Sequence, residues 1–214
     1  MKQISFLSFL VVLACAEPQE VAFEPEIEAE AVLYSLATLG DNQYARMENE
    51  IGSATFAQDG NVVKLQITLT GMTPNTFKAV HIHHGTVENP GRHWNRGSLL
   101  ASCDSLSMGN FWGRPFIGDV GNVRIDENGE GVFSIRTDLW RINSGDEKDL
   151  VGLPIIVHEM PQDFQEECDP NHDHTHMHMN PKIGGGVISL TSGGMEVGNA
   201  IDLSEEIPSF LICR

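Results

Sequence analysis

The sequence predicts an all-β domain, a sandwich or barrel, on three observations. Short runs of alternating polar and apolar residues recur along the chain, turn-forming segments separate them, and no stretch carries a convincing amphipathic helical period. A chain of 214 residues suits one domain with appendages and can bury a substantial core without covalent staples.

In chain order, Ile4 to Ala14 is an apolar run behind Lys2, too short to span a bilayer and placed where an export signal belongs, so residues 1–16 are read as that signal. Ala14-Cys15-Ala16 fits a small-residue cleavage site. Val12-Leu13-Ala14-Cys15 resembles a lipobox with its leucine displaced by one position, and lipidation of Cys15 is the preferred reading. Residues 17–29 are acidic, carry Pro18 and Pro25 and lack sustained periodicity, as a tether would.

Residues 30–195 then read as the domain. Strands are expected at Ala31 to Ala37 and Ser53 to Gln58, with Asp59-Gly60-Asn61 as a tight turn. From Val63 the alternation of Val63, Leu65, Ile67 and Leu69 with Lys64, Gln66, Thr68 and Thr70 marks a strand with one buried face. Gly71 to Asn75 turns the chain into a strand ending in Val80-His81-Ile82-His83. Further strands are expected at Asn122 to Ile125, Gly131 to Arg136, Leu153 to His158 and Gly186 to Leu190. Two long segments without a clean period, His84 to Phe116 and Met160 to Ile183, are read as loops, and loops of that length are usually functional. Residues 196–214 form a tail of unassigned role that ends near Cys213.

Thirty acidic against 13 basic residues give a net charge of −17, which argues against a nucleic-acid partner, since such binding needs a cationic footprint. An anionic substrate would need a local positive patch. Export to a periplasm or cell surface follows from the signal, with membrane attachment only through a lipid on Cys15 and secretion otherwise. Export also permits disulfides, and Cys103, Cys168 and Cys213 remain once Cys15 is lipidated or removed.

In a strand His81 and His83 point the same way, about 6 to 7 Å apart. Two imidazoles held so can begin a metal chelate, although a bare His-X-His is equally the wet face of a half-buried strand.

Other segments add to that pair. Gly52 to Gln58, His81-Ile-His83, Arg92-His93-Trp94-Asn95, Gly118-Asp119-Val-Gly-Asn122, Val157-His158-Glu159 and Gly186-Val-Ile188 occur in the order of one family, and the chain resembles a Cu/Zn superoxide dismutase over roughly residues 30 to 192. The resemblance implies a Greek-key β-sandwich or barrel with superoxide as substrate. It implies copper held by His81, His83, His93 and His158, with one proton delivered by way of His93. On the zinc side only His93 and Asp119 match, and one histidine and one aspartate do not build a closed tetrahedral zinc site. The family's aspartate that links copper and zinc ligands falls on Gln162, beside Asp163. Together these departures imply a copper-only or zinc-degenerate variant, with Asp119 marking a residual zinc position.

The family's disulfide cysteine aligns with Gly185, so a rewired bridge between Cys103 and Cys168 is expected, provided their Cα atoms lie within about 7 Å. The family's substrate-guiding arginine falls on Lys182, otherwise an ordinary loop lysine, which keeps the charge without the planar fork.

His172, His174, His176 and His178, interleaved with Met177 and Met179, belong to no motif of the family and offer nitrogen and thioether donors for copper or zinc. They would replace lost zinc ligands, capture copper, or carry only the incidental metal affinity of a polar loop. The leading expectation is an exported copper-dependent superoxide dismutase. The alternative is a non-enzymatic copper-binding or copper-donating protein on the same fold, and a third is an inactive scaffold for surface interaction. No oligomeric state follows from the sequence.

Overall fold

The structure, a computed structural model, describes residues 22–94, 117–162 and 180–191. Ten strands follow in chain order: β1 (Ile27–Gly40), β2 (Gln43–Asp59), β3 (Val62–Leu69), β4 (Phe77–Gly85), β5 (Pro90–His93), β6 (Asp119–Arg124), β7 (Gly131–Thr137), β8 (Pro154–His158), β9 (Lys182–Val187) and β10 (Ser189–Leu190). Among the described residues there is no helix. The sheet runs β5-β4-β8-β9-β1-β2-β3-β7, with β6 along β4 and β10 along β1. Every pairing between strands is antiparallel.

Alternation decides which face each strand buries. Val63, Leu65, Ile67 and Leu69 on β3 are all buried, as their spacing requires, and they pack with Leu33, Ala54 and Phe56 from β1 and β2. Val80 and Ile82 of β4 and Ile155 and Val157 of β8 complete the same core, which turns the other face of β4 toward His81 and His83. Trp140 caps the core. Its ring meets Phe56 edge-on at 6.3 Å, and its indole N–H donates to the Ile117 carbonyl at 2.8 Å, directly before the Gly118-Asp119 pair.

After β3 the chain crosses to the far side of the sheet before laying down β4, and β8 later inserts between β4 and β9. That non-sequential order makes His81 and His158 neighbours although 77 positions separate them in the chain (158 − 81).

Several boundaries differ from expectation. β1 begins at Ile27, inside the stretch read as a tether. The chain before it is already held, since the Glu26 N–H donates to the Gln58 carbonyl at 2.8 Å and the Arg136 guanidinium lies 5.2 Å from the Phe23 ring. β2 starts at Gln43 rather than Ser53, because its first half pairs with β1 through the backbone whatever its side chains. β5 lies within the segment read as one long loop, paired to β4 through His83 and His93. β9 begins at Lys182, so that lysine is a strand residue, and Gly186 to Leu190 is divided at Ile188, whose buried side chain and bond to the Leu153 carbonyl interrupt the ladder. The signal with Cys15, the cysteines Cys103, Cys168 and Cys213, the tract His172, His174, His176 and His178, and residues 196–214 lie outside the described residues.

Candidate metal centre

Three strands bring four histidines together. β4 supplies His81 and His83, β5 supplies His93 and β8 ends on His158. All four are buried, and one nitrogen from each lies within 4.8 Å of the others. Among the described residues this is the one group of three or more His, Cys, Asp or Glu side chains able to hold a metal ion.

Glycine lets these strands meet. A Cβ on Gly118 would stand 2.5 Å from the carbonyl oxygens of both Ile82 and Trp94. The Ile82 N–H donates to the Gly118 carbonyl and the Trp94 N–H to the Ile82 carbonyl, each at 2.7 Å. The segments carrying His93 and Asp119 therefore lock onto β4 through its backbone, and a side chain at 118 would wedge them off.

The hydrogen bonds assign each ring. His83 Nδ1 lies 2.9 Å from the Gly91 carbonyl, His158 Nδ1 3.2 Å from the Asn180 carbonyl and His93 Nδ1 2.9 Å from Asp119 Oδ1. His81 Nε2 contacts Gln162 Oε1. Each partner is an acceptor, so each of these nitrogens carries the proton and donates it. The lone pairs then sit on His81 Nδ1 and on Nε2 of His83, His93 and His158. His81 Nδ1 is buried without a hydrogen-bond partner, and the Nε2 atoms of His83 and His158 face each other at 3.2 Å. Two lone pairs at that distance repel unless they share a cation. The set fits a transition-metal ion, each imidazole having its second nitrogen tied down.

Burial keeps His81, His83 and His158 unprotonated. Desolvation, followed by electrostatic coupling to the neighbouring His93, pushes His81 and His83 well below the ordinary histidine range and His158 down to about 3. Lys182 contributes to the depression at His83 and His158, so its charge reaches the site. Its side chain is buried, and desolvation lowers its own pKa.

Asp119, expected from the sequence to mark a residual zinc position, is fully buried and holds His93 by the charge-assisted bond at 2.9 Å. Gln162 is clamped by Asn122. The Asn122 amide donates to the Gln162 carbonyl, and the Gln162 N–H donates to Asn122 Oδ1, both at 2.9 Å. Asn122 was visible only as the last residue of Gly118-Asp119-Val-Gly-Asn122, and Gln162 only as a replaced aspartate. Tyr44, whose ring lies 5.5 Å from Lys182 Nζ, gave no sequence signal.

The comparisons with known proteins agree with this geometry. A family profile described as "Copper/zinc superoxide dismutase (SODC)" matches residues 50–188. A superoxide dismutase [Cu-Zn] of Paramecium bursaria Chlorella virus 1 is 24% identical over 123 residues, covering 53% of this chain and 59% of the viral protein. One of Humicola lutea is 23% identical over 120 residues, covering 53% of this chain and 73% of its own. The match thus spans less than two thirds of the viral relative's length. Among solved structures, a SOD-like protein from Bacillus subtilis superposes with a TM-score of 0.52 at 15% identity, over 74% of this chain and 96% of that one. The clock protein EA4 does so with a TM-score of 0.53 at 23% identity, over 81% and 100%. At these identities the two structures speak for the fold alone.

Proposed function

Because the chain belongs to the copper/zinc superoxide dismutase family, we propose that it disproportionates superoxide to oxygen and hydrogen peroxide at a copper ion held by His81, His83, His93 and His158, without a conventional zinc site. The observation that carries this reading is the convergence of four buried imidazole lone pairs, with every second nitrogen engaged by an acceptor. Copper, when bound, supplies a one-electron couple that accepts an electron from one superoxide and returns it to the next.

The chain's own groups do the rest. His81, His83 and His158 stay neutral through burial and present nitrogen donors. His93 is the proton carrier. Whenever its Nε2 is not engaged by the metal it would take a proton and pass it to the reduced oxygen species, while the Asp119 carboxylate on Nδ1 stabilises the imidazolium in between. That carboxylate orients the His93 ring without a second metal ion. Lys182 provides the local positive field that an anion needs to approach a chain of net charge −17.

Loading the full chain with copper alone and measuring superoxide turnover tests the proposal, beside a His81→Ala and His158→Ala double variant. Turnover at about one tightly held copper per chain, abolished in the double variant, is the expected outcome. Several weakly held copper ions with negligible turnover would overturn it in favour of a copper-handling protein on this fold. We also infer export, on the strength of the apolar run Ile4 to Ala14 behind Lys2.

A further inference from the structure

Lys182 is only 4% exposed, yet among the described residues no carboxylate pairs with it. A buried ammonium without a counter-ion is costly and calls for another source of stabilisation. Lys78, 2% exposed, shows the usual solution: its Nζ lies 2.6 Å from Glu159 Oε1 and 2.9 Å from the Glu159 carbonyl. At Lys182 the corresponding place is taken by an aromatic face, with Nζ 5.5 Å from the centre of the Tyr44 ring.

Tyr44 reaches that place through a detour of the β1–β2 hairpin. β2 pairs with β3 only from Gly52 to Asp59. Beyond Gly52 the β1–β2 register shifts at Leu33/Tyr34 and again at Tyr34/Leu36, and the outer half of the hairpin leaves the third strand. Met47 to Glu50 on this half are exposed, whereas Tyr44 is buried. The Tyr44 N–H donates to the Glu88 carbonyl at 2.8 Å, and the Asn42 side-chain amide donates to the Pro90 carbonyl. Glu88 lies between β4 and β5 and Pro90 opens β5, just before Gly91, whose carbonyl fixes His83. The outer half of the hairpin is thereby pinned to the rim of the metal centre, with its buried Tyr44 under the lysine.

We propose that Tyr44 is a positioning residue for the Lys182 ammonium, so that the hairpin builds the anion-attracting side of the metal centre. This rests on the reading of the four-histidine cluster as a copper site that takes a small anion. A carboxylate in place of Tyr44 would hold the lysine equally well but would cancel its charge. The neutral ring holds the ammonium and leaves its field directed at His83 and His158. Burial raises the phenol pKa, which keeps the ring from becoming an anion itself.

The test uses azide, a small monovalent anion, titrated into the copper(II)-loaded full chain and followed by the copper absorption band. Tyr44→Leu removes the ring face, Tyr44→Phe keeps it, and each is made with Lys182 present and with Lys182→Met. We expect Tyr44→Leu to weaken azide binding by about three- to fivefold, the range of a cation–π contact. Tyr44→Phe should stay within about twofold, and the effect of Tyr44→Leu should vanish when residue 182 is methionine. An equal loss in both backgrounds would mean that Tyr44 only packs the hairpin, and would overturn the proposal. So would a loss in Tyr44→Phe as large as in Tyr44→Leu. A measurement on the metal-free chain needs no disruptive variant. In the native protein and in Tyr44→Phe the ring current should displace the Lys182 side-chain methylene resonances upfield, and undisplaced resonances would refute the contact. Azide affinity is read independently of turnover, so a chain that shows this pattern yet does not consume superoxide keeps the Tyr44 assignment and loses the dismutase reading.

Discussion

Replacing Gln162 by leucine removes the acceptor for His81 Nε2 while nearly preserving side-chain volume. His81 is buried, its Nδ1 has no partner, and its contact with Gln162 Oε1 is what assigns the ring proton to Nε2. With leucine at 162 a buried N–H is left unsatisfied, which costs about 1–3 kcal/mol in the metal-free chain. The ring is also freed to exchange tautomers, which takes the lone pair away from Nδ1. Loss of such an outer hydrogen bond lowers metal affinity by about 10- to 100-fold. Copper affinity is measured by competition with a chromophoric chelator, and the His81 tautomer by nitrogen NMR of the metal-free chain. Gln162→Glu keeps an acceptor and serves as the control, retaining the Nε2–H tautomer and the affinity. If Gln162→Leu leaves both affinity and tautomer unchanged, the ring is oriented by something other than this bond and the proton assignment is wrong.

Gly118→Ala should lower the melting temperature and the copper stoichiometry together, because its Cβ would stand 2.5 Å from the carbonyl oxygens of Ile82 and Trp94, where the segments carrying His93 and Asp119 close onto β4; a native melting curve would refute this. The metal-free chain should lose stability below neutral pH. His158 has a folded pKa of about 3 against about 6.5 when unfolded, so the unfolded chain binds the extra proton between those values. Stability is then fully present above about pH 6.5 and falls by about 1.4 kcal/mol per pH unit below it from this residue alone, or about 2 kcal/mol between pH 7.5 and 5 in urea titrations. A flat profile would contradict the buried neutral imidazole. Lys182→Glu should slow superoxide turnover and reverse its dependence on salt, and an unchanged salt profile would remove the lysine from substrate guidance.

The alternation Val63, Leu65, Ile67, Leu69 announced both β3 and its buried face, since a two-residue period in apolar side chains is what a half-buried strand requires. The four histidines were legible because His81 and His83 share a strand and the flanking motifs of His93 and His158 are specific. β5 was not legible. Pro90-Gly91-Arg92-His93 has no strand propensity, and only its pairing with β4 makes it one. Nor was the outer half of β2, where Met47, Glu48, Asn49 and Glu50 are all exposed and leave no period to read. Gln162 and Tyr44 escaped for a common reason. Each acts on a residue far away in the chain, His81 and Lys182, through a contact that exists only once the sheet has closed.

The position of β8 in the sheet has a consequence for how the chain acquires its metal. His81, His83 and His93 lie on β4 and β5, antiparallel neighbours in sequence, so three donors assemble from one local piece of chain. The fourth, His158, arrives only when β8 slots between β4 and β9, a long-range pairing whose loop must close before its contacts can reward it. Before β8 is in place, His81, His83 and His93 form a cup that lacks its fourth donor. Under the proposed function, β8 is then the strand that closes the donor set, and its rate of detachment would set how long a metal once captured stays bound.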